Sequence, residues 1–383
     1  MKSIYLDHAA TTPIDLRVQK KMIAAMKHVY GNPSSLHIKG IEARQMVEDA
    51  RIMMAKSLQA KPEEIHFCSG GTEATNWAIK GYARLHPDQK EIITTPIEHH
   101  ATLHAIDDLV EQGYQVSFIP IDDQGFIDLI ALKKMISKET LMVSVIWANN
   151  EIGTIQDIQK IATICHQKDV ILHVDGVQAM GQLNIDLRKQ KIDLLTLSAH
   201  KFYGPKGIGC LFIREGIKLD HLISGGRQEF GLRAGTENVL GIVGMSYAAY
   251  LSKRSLRTTI RHLTDLSVDL YEKIREIAPD VILNGPEIGI LRLPGNLNLS
   301  LTGVKSNDLI FQLSERGLYL SAGSACTSTS IEPSHVLSAI GTPSSHIHGS
   351  IRISFGKDSA LEDNEVICLH LKDALDMLRM DEF

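Results

Sequence analysis

Asp193-Leu-Leu-Thr-Leu-Ser-Ala-His-Lys201 is a short apolar run that ends in a hydroxyl, a small residue, an imidazole and an amine. Its apolar part predicts a buried strand, and residues 202–207, which are rich in Gly and Pro, predict a turn. Because lysine is mostly exposed in folded proteins, position alone favours a surface lysine on that turn. Whether Lys201 is more than that depends on what the rest of the chain places beside it.

Strand-like and helix-like segments alternate from residue 64 to residue 213. The predicted strands are 64–68, 91–96, 116–120, 141–147, 170–174, 192–197 and 208–213. This alternation predicts an α/β fold with a mainly parallel sheet flanked by helices. In such sheets ligands bind beyond the carboxyl ends of the strands.

Polar residues follow five of these strands, at the end where a ligand would bind. They are Thr72, His99, Asn150, Asp175 and Lys201. Five polar residues at one edge favour a single site over five unrelated turns. No metal site is predicted, because the histidine pair at 100 and 104 has helical spacing but no evident third ligand.

Two of these positions have clear chemical interpretations and equally plain alternatives. The run 69–73, Ser-Gly-Gly-Thr-Glu, joins a strand to a helix, a geometry that binds phosphate through backbone N–H groups. It is also typical of a tight turn capped by Thr72. Asp175, at the end of a buried strand, is costly without a cationic partner, but it is also a suitable helix cap.

Composition narrows the class of protein. The 383 residues carry a net charge of −5, which argues against nucleic acid as a direct ligand. The chain has no apolar run long enough for a membrane span and no signal-peptide pattern at its start. Its five cysteines are scattered and form no C-x-x-C pair, which predicts a reduced, cytoplasmic protein.

The C-terminal part has strand and helix patterns of its own. A polar, glycine-rich stretch, 225–237, precedes a helix predicted to end near 251, and the charged run 253–257 predicts a domain boundary. We therefore expect a large domain, 15–255, and a smaller α+β domain formed by 1–14 and 256–383.

Two residues of the smaller domain stand out. Cys326 lies in a small, polar stretch, whereas the other four cysteines lie among apolar residues, so Cys326 is predicted to be an accessible thiol. Arg352 lies within the apolar strand 350–356 and needs a carboxylate partner there.

Several motifs in the chain resemble those of a known family. They are Tyr5-Leu-Asp-His-Ala-Ala-Thr-Thr-Pro13, Ser69-Gly-Gly-Thr-Glu73, Asn149-Asn-Glu-Ile-Gly153, His173-Val-Asp175, Ser198-Ala-His-Lys201, Gly323-Ser-Ala-Cys-Thr327 and Arg352-Ile-Ser-Phe-Gly356. The chain resembles the cysteine desulfurases of the NifS/IscS type, which are class-V aminotransferase-like, fold type I enzymes dependent on pyridoxal 5′-phosphate. Departures are small: Gly71 and Thr75 stand where other residues are common.

The resemblance implies a seven-stranded sheet in the large domain and a role for each site residue. Lys201 bonds to the cofactor aldehyde, His99 stacks on its ring, Asp175 pairs with the ring nitrogen, and Gln178 donates to the phenolic oxygen. The remaining implied cofactor contacts are Gly71, Thr72, Ser198, His200, Asn150 and Thr236. Thr236 would come from a second subunit of a homodimer, and Arg352 with Asn150 would bind the substrate carboxylate.

The implied reaction converts L-cysteine to L-alanine, with catalysis by Lys201, His99 and Cys326, which retains the sulfur as a persulfide. An iron–sulfur scaffold or a tRNA-thiolating enzyme would accept that sulfur. A selenocysteine lyase or a class-V aminotransferase would use the same cofactor. A non-enzymatic scaffold that binds the cofactor is a further alternative, which does not need Lys201 or Cys326.

Overall fold

The computed structural model describes residues 2–322 and 333–380. Its α-helices are α1 (Leu16–His28), α2 (Ile38–Leu58), α3 (Gly71–Leu85), α4 (His100–Val110), α5 (Leu129–Met135), α6 (Ile158–His166), α7 (Leu187–Gln190), α8 (Val239–Ile277), α9 (Ser306–Glu315), α10 (His335–Ala339), α11 (Ser344–Ile347) and α12 (Asp363–Met380). Short 3-10 helices are Pro62–Glu64, Ala199–Lys201 and Glu229–Gly231. No helix in these ranges is long and apolar enough to cross a membrane.

The strands form one large sheet and two smaller ones. They are β1 (Ile4–Tyr5), β2 (Ile65–Cys68), β3 (Glu91–Thr94), β4 (Gln115–Phe118), β5 (Thr140–Ile146), β6 (Ile171–Asp175), β7 (Leu194–Ser198), β8 (Gly209–Ile213), β9 (Ile282–Leu283), β10 (Asn296–Ser300), β11 (Leu318–Tyr319), β12 (Ser321–Ala322) and β13 (Ser350–Ser354). The large sheet has seven strands in the order β2-β8-β7-β6-β5-β3-β4. Only β8 runs against its neighbours, so the predicted mainly parallel, seven-stranded sheet is confirmed.

Helices cover both faces of the large sheet because its strands are apolar on both sides. Helices α1, α2, α6 and α8 pack on one face, with Val18, Met54 and Ile161 among the buried contacts. Helices α3 and α4 pack on the other face through Trp77 and Ile106. Because helices fill both faces, a ligand has room only beyond the ends of the strands.

The C-terminal part builds a separate antiparallel sheet in the order β12-β13-β10-β9. The N-terminal arm packs with this part of the chain: β1 pairs in parallel with β11 in a separate two-stranded sheet, and Ile4 and Leu6 pack with side chains from α9 and α12. The division into 15–255 and 1–14 with 256–383 stays a prediction. The expectation that a helix ends near 251 is wrong, because α8 runs from Val239 to Ile277, a total of 39 residues.

A buried ion pair fastens the loop that leads into α8. Arg51 and Glu229 are each 3% exposed in their side chains, and both guanidinium Nη atoms donate to the carboxylate, at 2.8 and 2.9 Å. Glu229 Oε2 also accepts from the backbone N–H of Phe67 at 2.9 Å. Glu229 itself has φ = 47°, a left-handed conformation unusual for a residue with a side chain. The contacts of its carboxylate oppose the cost of that conformation.

We predict that Glu229→Ala lowers the free energy of unfolding by about 3–5 kcal/mol, because it removes the two-point pairing of the buried Arg51 and leaves only the longer, half-exposed contact with Glu48 at 3.3 Å. Urea unfolding at fixed protein concentration measures the change. The matched control is Glu215→Ala, which breaks the exposed pair with Lys61 and should leave the free energy of unfolding close to that of the wild type. Equal effects of the two substitutions would contradict this account.

Candidate active site

A cavity of about 300 Å³ lies at the carboxyl edge of the large sheet. This volume is at the lower end of the range of about 300–1,000 Å³ typical of ligand pockets. Ten of the residues singled out in the sequence line it: Gly71, Thr72, His99, Asn150, Asp175, Gln178, Ser198, His200, Lys201 and Arg352. Strands β2, β3, β5, β6 and β7 end at this edge, which brings together residues far apart in the chain.

Lys201 lies on the 3-10 turn that follows β7, and it lines the cavity. Its Nζ donates to the backbone oxygens of Ala9 and Ala10, at 2.7 and 2.8 Å. Gln178 Nε2 donates to the same Ala9 oxygen at 2.9 Å. The lysine therefore belongs to the wall of a cavity, which the interpretation as a surface turn lysine does not explain.

Asp175 is the last residue of β6, and its side chain is buried at the cavity. Its Oδ1 accepts from the backbone N–H of Val177 at 3.0 Å, so it caps a turn, whereas the next helix begins only at Leu187. Burial raises the pKa of Asp175 to about 6, although the positive charge of Lys201 opposes that shift. A buried carboxyl of this kind is suited to a cationic ligand atom.

His99 caps α4, and its Nδ1 accepts from the backbone N–H of Ala101 at 3.1 Å. The neutral ring therefore carries its proton on Nε2. Burial, assisted by the charge of Lys201, lowers the pKa of His99 to about 4. At neutral pH the ring is uncharged, which suits stacking on a flat ligand.

The turn before α3 provides a place for an anionic group. Gly70 caps the helix without a side chain, so N–H groups of the first turn point towards the ligand position. A Cβ at Gly71 would lie 3.0 Å from Val177 Cγ2, so a larger residue there would need the Val177 side chain to shift by a few tenths of an ångström. Thr72 and Ser198 add hydroxyl groups to the same cavity.

His200 lies beside this anion position. Its Nδ1 is 3.1 Å from the hydroxyl oxygen of Thr11. Burial, followed by the charges of Lys201 and Lys206, lowers the pKa of His200 to about 4. A neutral imidazole there can donate a hydrogen bond to a phosphate oxygen without adding a further positive charge next to Lys201 and Lys206.

Arg352, from β13 of the second sheet, also lines the cavity. The residue is 1% exposed; its Nη2 donates to Asp7 Oδ1 at 2.8 Å, and its Nη1 donates to the backbone oxygen of Asn150 at 3.1 Å. Its Nε is buried and has no hydrogen-bond partner among the described residues. The expectation of a carboxylate partner is thus met by Asp7, and one buried donor stays available to a ligand.

One predicted residue that the structure describes, Thr236, does not line this cavity. Thr236 lines a different cavity of about 200 Å³, together with Ser69 and Gly207. Cys326 lies outside the described residues. Among residues 2–322 and 333–380, no group of three or more His, Cys, Asp or Glu side chains could hold a metal ion.

The other four cysteines are buried, as predicted. Burial raises the thiol pKa of Cys68 and Cys165 to about 12 and that of Cys368 to about 11, and it raises the thiol pKa of Cys210 well above its usual value. Thiols with such pKa values stay protonated at neutral pH and react slowly.

The sequence did not reveal every residue that builds the site. Ala9 and Ala10 act through backbone oxygens, which leave no side-chain signal. Glu98, next to His99, is fully buried; burial raises its pKa to about 8, and its Oε1 accepts from the N–H of Ile146 at 2.9 Å. Asp7 stands in a quoted motif, but its pairing with Arg352 spans 345 residues.

Comparison with known proteins agrees with this geometry. The model of the family "Aminotransferase class-V" matches residues 4–366. A cysteine desulfurase IscS of Clostridium botulinum (strain Hall) is 44% identical over 367 residues, which are 96% of this chain and 92% of that protein.

Solved structures are similar over most of their length. A structure described as a NifS-like protein has a TM-score of 0.93 and 36% identity, covering 98% of this chain and all of the other. A structure described as SspA in complex with cysteine has a TM-score of 0.81 and 33% identity, covering 94% of this chain and all of the other. The chain therefore belongs to the cysteine desulfurases of the class-V aminotransferase family.

Pyridoxal 5′-phosphate is the cofactor of this family, and the cavity fits it. The buried carboxyl of Asp175 suits a protonated ring nitrogen, and the first turn of α3 suits a phosphate. The primary amine of Lys201 is the group that an aldehyde requires. These three features lie in one cavity, so the residues present match the three ends of one molecule.

We predict that Asp175 makes cofactor affinity depend on pH. In the cofactor-free chain, Asp175 is ionised above its pKa of about 6, and the ionised form can pair with the ring nitrogen when the cofactor binds. Below pH 6 Asp175 is protonated, the contribution of this pair to binding is lost, and the affinity for the cofactor falls by up to about tenfold per pH unit. Absorbance titrations of cofactor-free protein between pH 5 and 8 measure it.

The control is Asp175→Asn at each pH, because the ratio of the two affinities cancels the ionisation of the cofactor itself. The ratio should be largest above pH 7 and shrink as the pH falls. A ratio that stays constant across the range would contradict a role for this carboxylate.

Proposed function

We propose that this chain converts L-cysteine to L-alanine and takes the released sulfur on Cys326. The observation that carries the proposal is that a lysine and a carboxyl line a single cavity together with a buried arginine. The first pair suits the cofactor, and the arginine suits the carboxylate of an amino acid. The names of the similar proteins favour desulfuration over transamination.

Each residue of the cavity has a separate task in holding the ligands. Lys201 bonds to the cofactor, Asp175 pairs with its ring nitrogen, His99 stacks on its ring, and Gln178 donates to its phenolic oxygen. The phosphate is held by Gly71, Thr72, Ser198 and His200. When bound, the cofactor withdraws electrons from the substrate Cα, which makes loss of the Cα proton favourable.

Arg352 and Asn150 orient the substrate. Arg352 binds its carboxylate through the unpartnered Nε N–H and a remaining Nη N–H, and Asn150, which also touches the cofactor, is the second residue that binds it. Support comes from a similar protein, SspA, whose structure contains cysteine. The amine of Lys201, which lines the same cavity, would move a proton at Cα.

The sulfur step needs no outside oxidant or reductant. The thiolate of Cys326 attacks the substrate sulfur, the C–S bond breaks, and its electron pair stays on carbon, which gains a proton to give the methyl group of alanine. Cys326 is left as a persulfide. The sulfur is oxidised while the carbon is reduced, so the step balances within the site.

The persulfide sulfur then passes to an acceptor protein, either an iron–sulfur scaffold or a tRNA-thiolating enzyme.

We further propose a homodimer in which Thr236 contacts the phosphate in the second subunit's site. Two features support it: Thr236 lies in a separate cavity of its own chain, and Tyr30, Leu36 and Ile38 are between 65 and 87% exposed. Large apolar side chains so exposed are typical of interfaces.

We predict that Cys326→Ser binds the cofactor normally but forms no persulfide and releases no alanine above background. The reason is that the variant loses the only proposed sulfur acceptor while the cavity stays intact. Alanine release by chromatography and persulfide mapping by mass spectrometry measure the two outcomes. The control is Cys368→Ala, a buried cysteine of the second core, which should keep its turnover. Full turnover by Cys326→Ser, or persulfide on a buried cysteine, would overturn the proposal.

A further inference from the structure

The arginine that faces the substrate is held by two oxygens from different parts of the chain. Asp7 Oδ1 accepts from Nη2 at 2.8 Å, and the backbone oxygen of Asn150 accepts from Nη1 of Arg352 at 3.1 Å. A guanidinium has five N–H donors in a fixed plane, so two fixed acceptors determine the orientation of that plane. The Nε N–H stays buried without a partner.

The backbone of Asp7 is itself firmly fixed. Its carbonyl oxygen accepts from the hydroxyl of Tyr5 at 3.0 Å and from the N–H groups of Ala10 and Thr11, at 3.1 and 3.3 Å. Asp7 also forms a parallel bridge with Ser354, two residues beyond Arg352 on the same strand. The backbone that carries the Asp7 carboxylate therefore has a defined position relative to β13, the strand of Arg352.

Asp7 is also the carboxylate in direct contact with the arginine. Glu151 is the second acidic group nearby, but its Oε2 accepts from the hydroxyl of Ser334 at 2.5 Å. Burial raises the pKa of Glu151 to about 7, with Ser334 and Arg352 opposing that shift, so its charge is incomplete at neutral pH. Arg352 is 1% exposed, and a charge so buried needs a direct counter-ion.

We propose that Asp7 is a positioning residue for substrate recognition: it fixes the Arg352 guanidinium so that its unpartnered Nε N–H meets the carboxylate of the incoming amino acid. This inference rests on the proposed function, in which Arg352 binds that carboxylate. Asp7 does not contact the substrate in this proposal. Its effect should therefore appear only for ligands that carry a carboxylate.

The test compares two ligands that differ in that one group, L-cysteine and cysteamine, which lacks the carboxylate. Their dissociation constants are read from the change in cofactor absorbance of the holoenzyme, alongside KM and kcat for L-cysteine. Asp7→Ala should weaken L-cysteine binding at least about tenfold, the scale of one hydrogen bond to a charged group, and leave cysteamine binding unchanged. It should raise KM more than it lowers kcat.

Asp7→Asn keeps an acceptor oxygen for Nη2 but loses the charge, so it should recover part of the loss, which also keeps the test valid if Asp7→Ala folds poorly. The matched control is Asp15→Asn. Asp15 lies further along the same N-terminal segment and pairs with Arg17 and Lys357, but it is not part of the cavity. This variant should change neither ligand's affinity.

Equal weakening of both ligands by Asp7→Ala would show a general structural role and overturn the inference, as would no effect on either. Failure of the proposed function gives a different result. If the wild-type holoenzyme does not discriminate between L-cysteine and cysteamine, the carboxylate site at Arg352 is itself wrong, whatever Asp7 does.

Discussion

The direction of the strands is the constraint on which the whole site depends. Six of the seven strands of the large sheet run the same way, and β8 alone is reversed, so the carboxyl ends of β2, β3, β5, β6 and β7 meet at one edge. Helices fill both faces of the sheet, and this edge is where polar side chains can face a ligand without disturbing the core. Residues from position 71 to position 201 reach one cavity for this reason alone.

Two cationic residues line that cavity, Lys201 and Arg352, and one short segment contacts both. The N-terminal arm supplies the carboxylate of Asp7 to Arg352 and the backbone oxygens of Ala9 and Ala10 to Lys201. Removing a charge from water is costly unless hydrogen bonds and a counter-charge replace the water. The arm therefore links the second sheet to the cavity by supplying the acceptors that the buried cations, Arg352 and Lys201, need.

Much of this could be predicted from the sequence, because the informative patterns are local. The seven strands were placed within about two residues of their observed bounds, since each is a short apolar run ended by polar or small residues. The predicted helix end near 251 was wrong because the charged run 253–257 contains no Gly or Pro that would end a helix. The amine of Lys253 donates to Asn184 and to the backbone oxygen of Ile185, and α8 continues through this run. Asp7 was missed because its pairing joins positions 345 apart and no local pattern announces such a contact.

The central claim is that the lysine at the end of β7 is the one that bonds to the cofactor. The most direct measurement is to load the protein with pyridoxal 5′-phosphate, reduce it with borohydride, digest it and locate the added mass by mass spectrometry. The account predicts one modified site, Lys201, and loss of that modification in Lys201→Arg, a variant that keeps the positive charge. Modification spread over exposed lysines with Lys201 untouched, or a fixed site elsewhere, would contradict the account.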